Sequence, residues 1–489
     1  MKIALIPIDD RPVCYSLPLQ IAAVDEGIEL FLPPRGMLGN LTDIADIEGV
    51  LGWLEGLEEV DALVIALDTI AYGGLIPSRR SNDSFEQIAA RLERLKPLIR
   101  GKKVYAFSSI MRISNNNINE EEKDYWAQWG KKIYEYSYNR GQEGEKAGGQ
   151  AFPLYLWERV ETLNEPTGGQ TGGEFSVSGE GIPAKILDDY LYTRKRNFEI
   201  NKLYLGWQKE GLFETLIFSK DDSGRYGLNV CEARELEALG GHTKTGADEI
   251  PLTLLARAIV FERGKGEACP PALPPSCPLK IRIAPIFTEP SQKHLVSNYE
   301  DISIEKSVKG QIELAGCEVC APDEADLLLY VNNFIDHQGE IVMGVSTEPF
   351  KGSWKKPDKP CLIADVRFAN GADNEFIKSV LEGGFDENFF GFAAWNTSAN
   401  TLGSVICAGV TKFLAKKYNN RAFKKLQLIR FLDDWAYQAN VRQSLSKPDT
   451  AEIKAKMKPY EQILKQKFIE CDIKYSFPWN RLFEVEIVL

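Results

Sequence analysis

The chain has 489 residues, enough for two or three domains with large cores. Its 44% hydrophobic and 26% charged content is ordinary for a globular protein, and a net charge of -12 argues against nucleic acid or an anionic membrane as partner. No run approaches the roughly 18 apolar residues that span a bilayer, and Met1 leads straight into a strand, so a cytoplasmic protein is expected.

The first strand pattern is Ile3-Ala4-Leu5-Ile6, an unbroken apolar run of the kind buried on both faces of a parallel sheet. It stops at Asp9-Asp10-Arg11-Pro12, where the proline forces a turn. A helix over 17–24, a short strand over 28–32 and a helix over 43–57 follow. The clearest strand is 62–67, ending at Asp68-Thr69. A helix over 85–99 leads to a strand over 104–107, which delivers Ser108, Ser109, Met111 and Arg112 to its end. Strands alternating with helices of this length predict right-handed βαβ units and parallel sheets.

From 119 to 139 the pattern is helical and rich in Trp and Tyr, which predicts packed aromatics. Residues 141–181, with Gly168-Gly169 and Gly172-Gly173, read as a mobile insertion of lid type. A long helix over 183–211 places Arg194, Asn197 and Asn201 on one face, and a solvated face accounts for that spacing as well as a functional one does. The strand over 215–218 ends in Ser219-Lys220-Asp221-Asp222-Ser223-Gly224, a second aspartate pair at a strand end. Asp248 and Glu249, in Gly246-Ala247-Asp248-Glu249, open a helix over 250–261, where the helix dipole favours acidic residues.

The Pro-rich stretch 264–278 reads as a linker to a second α/β domain. That domain has expected strands at 280–286, 318–320, 327–331, 361–364 and 389–394. Their polar ends carry Asn333, Asp365 and Trp395-Asn396, and Asn370-Gly371-Ala372-Asp373 opens a helix. Residues 420–476 read as helical, and 483–489 as an edge strand. The expected architecture is two Rossmann-like parallel-sheet units, residues 1–263 and 279–418, with a helical extension over 419–489; an elaborated (β/α)8 barrel is the alternative.

Nine cysteines, an odd number, suit free buried thiols, and Cys317-Glu318-Val319-Cys320 lacks the second pair of a zinc ribbon. His242, His294 and His337 are far apart, so acid–base work falls to carboxylates. No phosphate-binding glycine loop is present, and no cofactor is expected unless aspartates hold Mg²⁺. The candidate site gathers Asp221, Asp222 and Asp10 as catalytic groups. Asp9, Arg11, Asp68, Arg112, Asn333, Asp365, Asn370, Asp373, Trp395 and Asn396 are candidate substrate contacts. Close aspartates drive their pKa values apart and can supply both an acid and a base. Asn, Asp and Arg bracket hydroxyls while Trp or Tyr stack on a sugar face.

The DDRP turn, SKDDSGRYGLN at 219–229, GADE at 246–249, VNN at 331–333, NGAD at 370–373, AAWNTSANTLG at 393–403 and DDWAYQANVR at 433–442 resemble the motifs of a bacterial family known as a domain of unknown function. The resemblance spans nearly the whole chain and implies a coherent shared site. Locally, Leu216-Ile217-Phe218-Ser219-Lys220-Asp221-Asp222 is also similar to the strand-Asp-Asp segment of O-GlcNAcase-type glycosidases. That likeness implies that Asp221 orients a substrate acetamido group and that Asp222 is the general acid. The expected function is thus a carbohydrate-active hydrolase acting on a small polar substrate in a cleft between two α/β halves. The alternatives are a metal-dependent hydrolase of a phosphate ester or amide, and a non-catalytic binder of a polar ligand.

Overall fold

The computed structural model describes residues 1–146, 181–264 and 281–489. The expected insertion, 141–181, and the expected linker, 264–278, lie largely outside the described residues. The strands are β1 (Lys2–Ile6), β2 (Glu29–Phe31), β3 (Ala62–Ala66), β4 (Val104–Ile110), β5 (Thr215–Lys220), β6 (Thr243–Thr245), β7 (Arg282–Phe287), β8 (Glu318–Val319), β9 (Leu327–Asn332), β10 (Gly339–Glu340), β11 (Cys361–Asp365), β12 (Phe368–Ala369), β13 (Phe389–Ala393), β14 (Lys474–Ser476) and β15 (Glu486–Val488).

The protein is an α/β structure with parallel sheets. One sheet runs β2-β1-β3-β4-β5-β6 and the other β13-β11-β9-β7-β8. The pairs β1–β2, β4–β5 and β5–β6 are parallel, as are β7–β8, β7–β9, β9–β11 and β11–β13. Every residue of β3, β4, β5 and β11 is buried, as continuous apolar runs covered on both faces require. Numbered along their own stretch of chain, both sheets begin with the order 2-1-3-4-5 of doubly wound folds.

The chain groups into two compact units, each discontinuous in sequence. The first comprises Met1–Leu32, Glu58–Val64 and Asp248–Leu489; the second comprises Pro33–Leu57 and Ile65–Ala247. In the first, Ser398 to Thr411 of the helix Ser398–Phe413 are all buried. In the second, the long helix Ala184–Lys209 buries the face that carries Arg194, Asn197 and Asn201. Arg194 forms a bidentate pair with Glu232 at 2.8 and 2.5 Å, and Asn197 donates to the Ser78 carbonyl at 2.9 Å. That face is therefore internal bracing rather than a solvated surface.

Local readings change in four places. The helix Leu67–Tyr72 starts directly after β3, so Asp68 stands in a first helical turn. β4 continues to Ile110, which puts Ser108 and Ser109 inside the strand. The aromatic helix begins at Trp126, leaving Glu121 and Glu122 before it. Finally, β14 interrupts the expected C-terminal helix and pairs antiparallel with β15, Tyr475 opposite Ile487. Three residues are too few to display a strand period in sequence. Among the described residues no helix is long and apolar enough to cross a membrane. Cys317 and Cys320 are free, and burial pushes the Cys317 thiol up to about 12.

Candidate functional site

In the second unit, parallel pairing sets Ser109 against Ser219 and Ile110 against Lys220. The residues just past both strand ends, Arg112 and Asp221-Asp222, are thereby brought side by side. Arg112 Nη1 lies 3.0 Å from Asp222 Oδ2 and 4.0 Å from Asp221 Oδ2. Its Nη2 meets Glu121 at 2.8 Å and its Nε meets Glu122 at 3.1 Å. A second guanidinium, Arg79, is buried and holds Asp221 Oδ2 at 2.5 Å, with Glu121 and Glu122 at 3.4 and 3.5 Å. Four carboxylates thus share two arginines. Burial opposes the charge of Arg112, but Glu121, Glu122 and the aspartates hold its pKa well above the ordinary value.

Asp222 is the exceptional member. Its backbone sits at φ +39°, a left-handed conformation unfavourable for a residue with a Cβ. Its side chain is 35% exposed, the most open of the four carboxylates for which contacts with Arg79 or Arg112 are given above. Burial of the group, followed by the neighbouring charge of Asp221, raises its pKa to about 6. Half-buried aromatics adjoin this loop: Tyr138 and Tyr226 meet edge to face at 5.3 Å, and Tyr134 lies 6.0 Å from Tyr138.

Asp68 is wholly buried. Its Oδ2 accepts the Ser109 N–H at 2.9 Å, while Oδ1 has no hydrogen-bond partner among the described residues. Burial raises its pKa to about 7. It supports the β4 end from behind.

In the first unit, the turn after β1 is built around Arg11. Asp9 accepts from its Nε and Nη2 at 2.9 and 2.7 Å. Asp248 takes the fork at 3.1 and 2.5 Å, and Glu484 lies 3.7 Å away. Burial works against this guanidinium, yet Asp248 and Asp9 keep it charged. Asp10 turns the other way and accepts from Trp479 Nε1 at 2.6 Å. Trp479 carries Arg11 at 5.2 Å and Arg481 at 4.5 Å over its ring, and holds φ +58°.

At the end of the second sheet the polar residues largely engage one another. Asp365 accepts from Asn332 Nδ2 at 2.8 Å and from the Asp373 N–H at 2.7 Å. Arg367 bonds Asn332 at 3.2 Å and Glu289 at 2.9 Å and lies 3.6 Å from Asp373. Asn333 closes onto the backbone of Glu289 in both directions. Burial and Asp373 push Asp365 up to about 8. These side chains fill the ends of β7, β9 and β11 with their own hydrogen bonds.

Asn370, Trp395 and Asn396 differ from that network. Asn370 and Asn396 both have left-handed backbones, φ +60° and +62°, and the Asn370 N–H donates to the Asn396 carbonyl at 2.9 Å. Asn370 Oδ1, Trp395 Nε1 and Asn400 Oδ1 are buried with no hydrogen-bond partner among the described residues. Each such atom costs about 1–3 kcal/mol when left unmatched.

The structure therefore brings Arg112, Asp221 and Asp222 together in one unit, with Asp68 behind the β4 end. In the other, Asp9 and Arg11 share one network, Asp10 is held by Trp479, and Asn333, Asp365, Asn370, Asp373, Trp395 and Asn396 cluster at ends of the five-stranded sheet. Sequence reasoning passed over Arg79, Glu121, Glu122, Trp479, Arg481 and Glu484. Arg79 ends a short apolar helix, Leu75–Arg80, where a buried cation needs an acidic partner; that signal was present. Among the described residues no group of three or more His, Cys, Asp or Glu is arranged to hold a metal ion. The positive charge facing the four carboxylates is supplied by Arg79 and Arg112.

Fold and sites define an α/β protein with parallel sheets whose polar strand ends carry buried ion networks. A family model described as a protein of unknown function, DUF4127, matches residues 3–151 and 161–488. The chain belongs to that family. No curated protein and no solved structure matches it.

Proposed function

We propose that the protein is a glycoside hydrolase in which Asp222 is the general acid and Asp221 its partner. One observation carries the reading. Asp222, at a strand end and on a strained backbone, has its pKa raised to about 6 beside an aspartate that is ion-paired to a buried arginine. Two adjacent carboxyls placed in unlike environments are what acid and nucleophile-assisting roles require. Asp222 gives its proton to the glycosidic oxygen as that bond breaks. Asp221, fixed by Arg79, orients an acetamido group whose oxygen attacks the anomeric carbon. The tyrosines 134, 138 and 226 offer ring faces to a sugar beside the pair. The metal-dependent reading is less favoured because guanidiniums, not free carboxylate oxygens, bridge this cluster.

Hydrolysis of aryl N-acetylhexosaminides and other aryl glycosides tests this. Asp222→Asn should lower kcat/KM roughly 10²- to 10⁴-fold for substrates with poor leaving groups. The loss should be far smaller for dinitrophenyl glycosides, whose leaving group needs no proton. Equal loss on all leaving groups, or no cleavage of any aryl glycoside by the wild type, would refute the assignment.

A further inference from the structure

We infer that a polar cavity in the second unit binds a neutral glycan segment. The cavity measures about 710 Å³, inside the range of roughly 300–1,000 Å³ usual for ligand-binding cavities. It lies between the end of the helix Leu75–Arg80, the stretch 122–125 and the first turns of the helix Ala184–Lys209. Its wall carries equal and opposite charge, with Arg80, Lys123 and Lys185 against Glu122, Asp124 and Asp189. Most of that charge is already committed. Arg80 donates to the carbonyls of Glu122 at 3.0 Å, Leu41 at 2.9 Å, Asn119 at 3.3 Å and Glu120. Lys123 Nζ holds the Asp189 oxygens at 3.0 and 2.8 Å and the Thr193 hydroxyl at 3.1 Å. Glu122 accepts from Arg112 Nε at 3.1 Å. An anionic ligand would meet three carboxylates here and a cationic one three cations, and neither finds a net counter-charge.

What the wall retains is hydrogen-bonding capacity. The Asp189 oxygens have further lone pairs, and the Tyr125 hydroxyl, which donates to Asp189 at 2.9 Å, can still accept. The Asn82 amide takes Lys123 on its oxygen at 3.4 Å and keeps two N–H donors. Tyr125 and Ile186 add apolar surface to the same wall. Donors and acceptors held in place, with no net charge, match hydroxyl and acetamido groups, which both give and take hydrogen bonds. Glu122 belongs to this wall and, through Arg112, to the ion cluster around Asp222. The cavity is thus placed to hold the part of a glycan remote from the bond that is cleaved. That role rests on the hydrolase reading; the binding itself does not.

Calorimetric titration and thermal melting of the full chain carrying Asp222→Asn test the site. The probes are triacetylchitotriose, cellotriose and maltotriose, with trigalacturonate and the glucosamine trimer as anionic and cationic controls. At least one neutral trimer should bind and raise Tm. Asn82→Ala and Tyr125→Phe, each added to that chain, should weaken binding roughly 2- to 10-fold. Asn82 is exposed, so its variant should keep the ligand-free Tm and report binding alone. Absence of binding by all three neutral trimers, tighter binding of a charged control, or full affinity in both variants would overturn the proposal. Binding retained by a protein that cleaves no glycoside would instead remove the hydrolase reading and leave this site standing.

Discussion

Asp68 illustrates how a single carboxyl reports its surroundings. With one oxygen unmatched and a pKa near 7, it is held as a neutral acid over the acid range. Its folded pKa is raised, so its stabilising contribution is complete below the unfolded value near 4 and is lost as pH rises through about 7. Asp68→Asn, neutral throughout, should therefore gain on the wild type between pH 5 and 8. At about 1.4 kcal/mol per pKa unit the gain amounts to a few kcal/mol at most. A difference in Tm between the two proteins that stays flat from pH 5 to 8 would contradict this. Arg11 behaves oppositely, because Asp9 and Asp248 depend on it. Arg11→Met should cost about 3–5 kcal/mol in urea unfolding, since it removes the guanidinium that both buried carboxylates share. A loss below about 1 kcal/mol would place these carboxylates in water rather than in the core. Residues were legible in sequence where chemistry is local, as in Asp221-Asp222 after an apolar run. Asp365 also follows an apolar run, yet its oxygens and those of Asp373 are taken up by Asn332 and by backbone N–H groups, that of Phe350 included. What separates a partly open carboxylate from a self-paired one is a partner far along the chain. Arg11 and Asp248 stand 237 residues apart.

Among the elements, the helix Ser398–Phe413 shows how small residues set the packing of a buried helix. A Cβ on Gly403 would meet Glu249 Cγ at 2.6 Å and Thr253 Oγ1 at 2.8 Å. One on Gly409 would run into a methyl group of Leu362 on β11. Alanine at either position gains up to about 1 kcal/mol of helix propensity but overpacks the interior, and a net loss of roughly 1–3 kcal/mol is expected for each. Chemical denaturation of Gly403→Ala and Gly409→Ala measures it; a stabilised variant would mean that the helix can shift away from its neighbours. Long apolar strands and the helix Phe85–Ile99 were legible because hydrophobic period and capping agree there. The two-residue strands β10 and β12, and the three-residue β14, are fixed by tertiary pairing and leave no period to detect. The π-helix Phe431–Val441 was read as part of an ordinary helix, because its widened turn has no distinct sequence pattern.

Across the whole molecule, the two sheets repeat one winding order, while their strand ends differ in chemistry. β9 and β11 close their ends with a self-satisfied network of Asn332, Asp365, Arg367 and Asp373. β5 ends instead in a carboxylate pair with one partly open, strained member. The parallel α/β class was legible from the alternation of strands and helices. The strand order was not, since chain order does not say which strand lies beside which. The central claim is that Asp222 donates the proton in glycoside cleavage. Its most direct test is kcat/KM for an aryl N-acetylhexosaminide measured from pH 4 to 9 in the wild type and in Asp222→Asn. An acid must be protonated to act, so the wild-type rate should fall as pH rises through about 6, and that limb should vanish in the variant. A wild-type rate that climbs through pH 6, or a variant that keeps both rate and profile, would contradict the account.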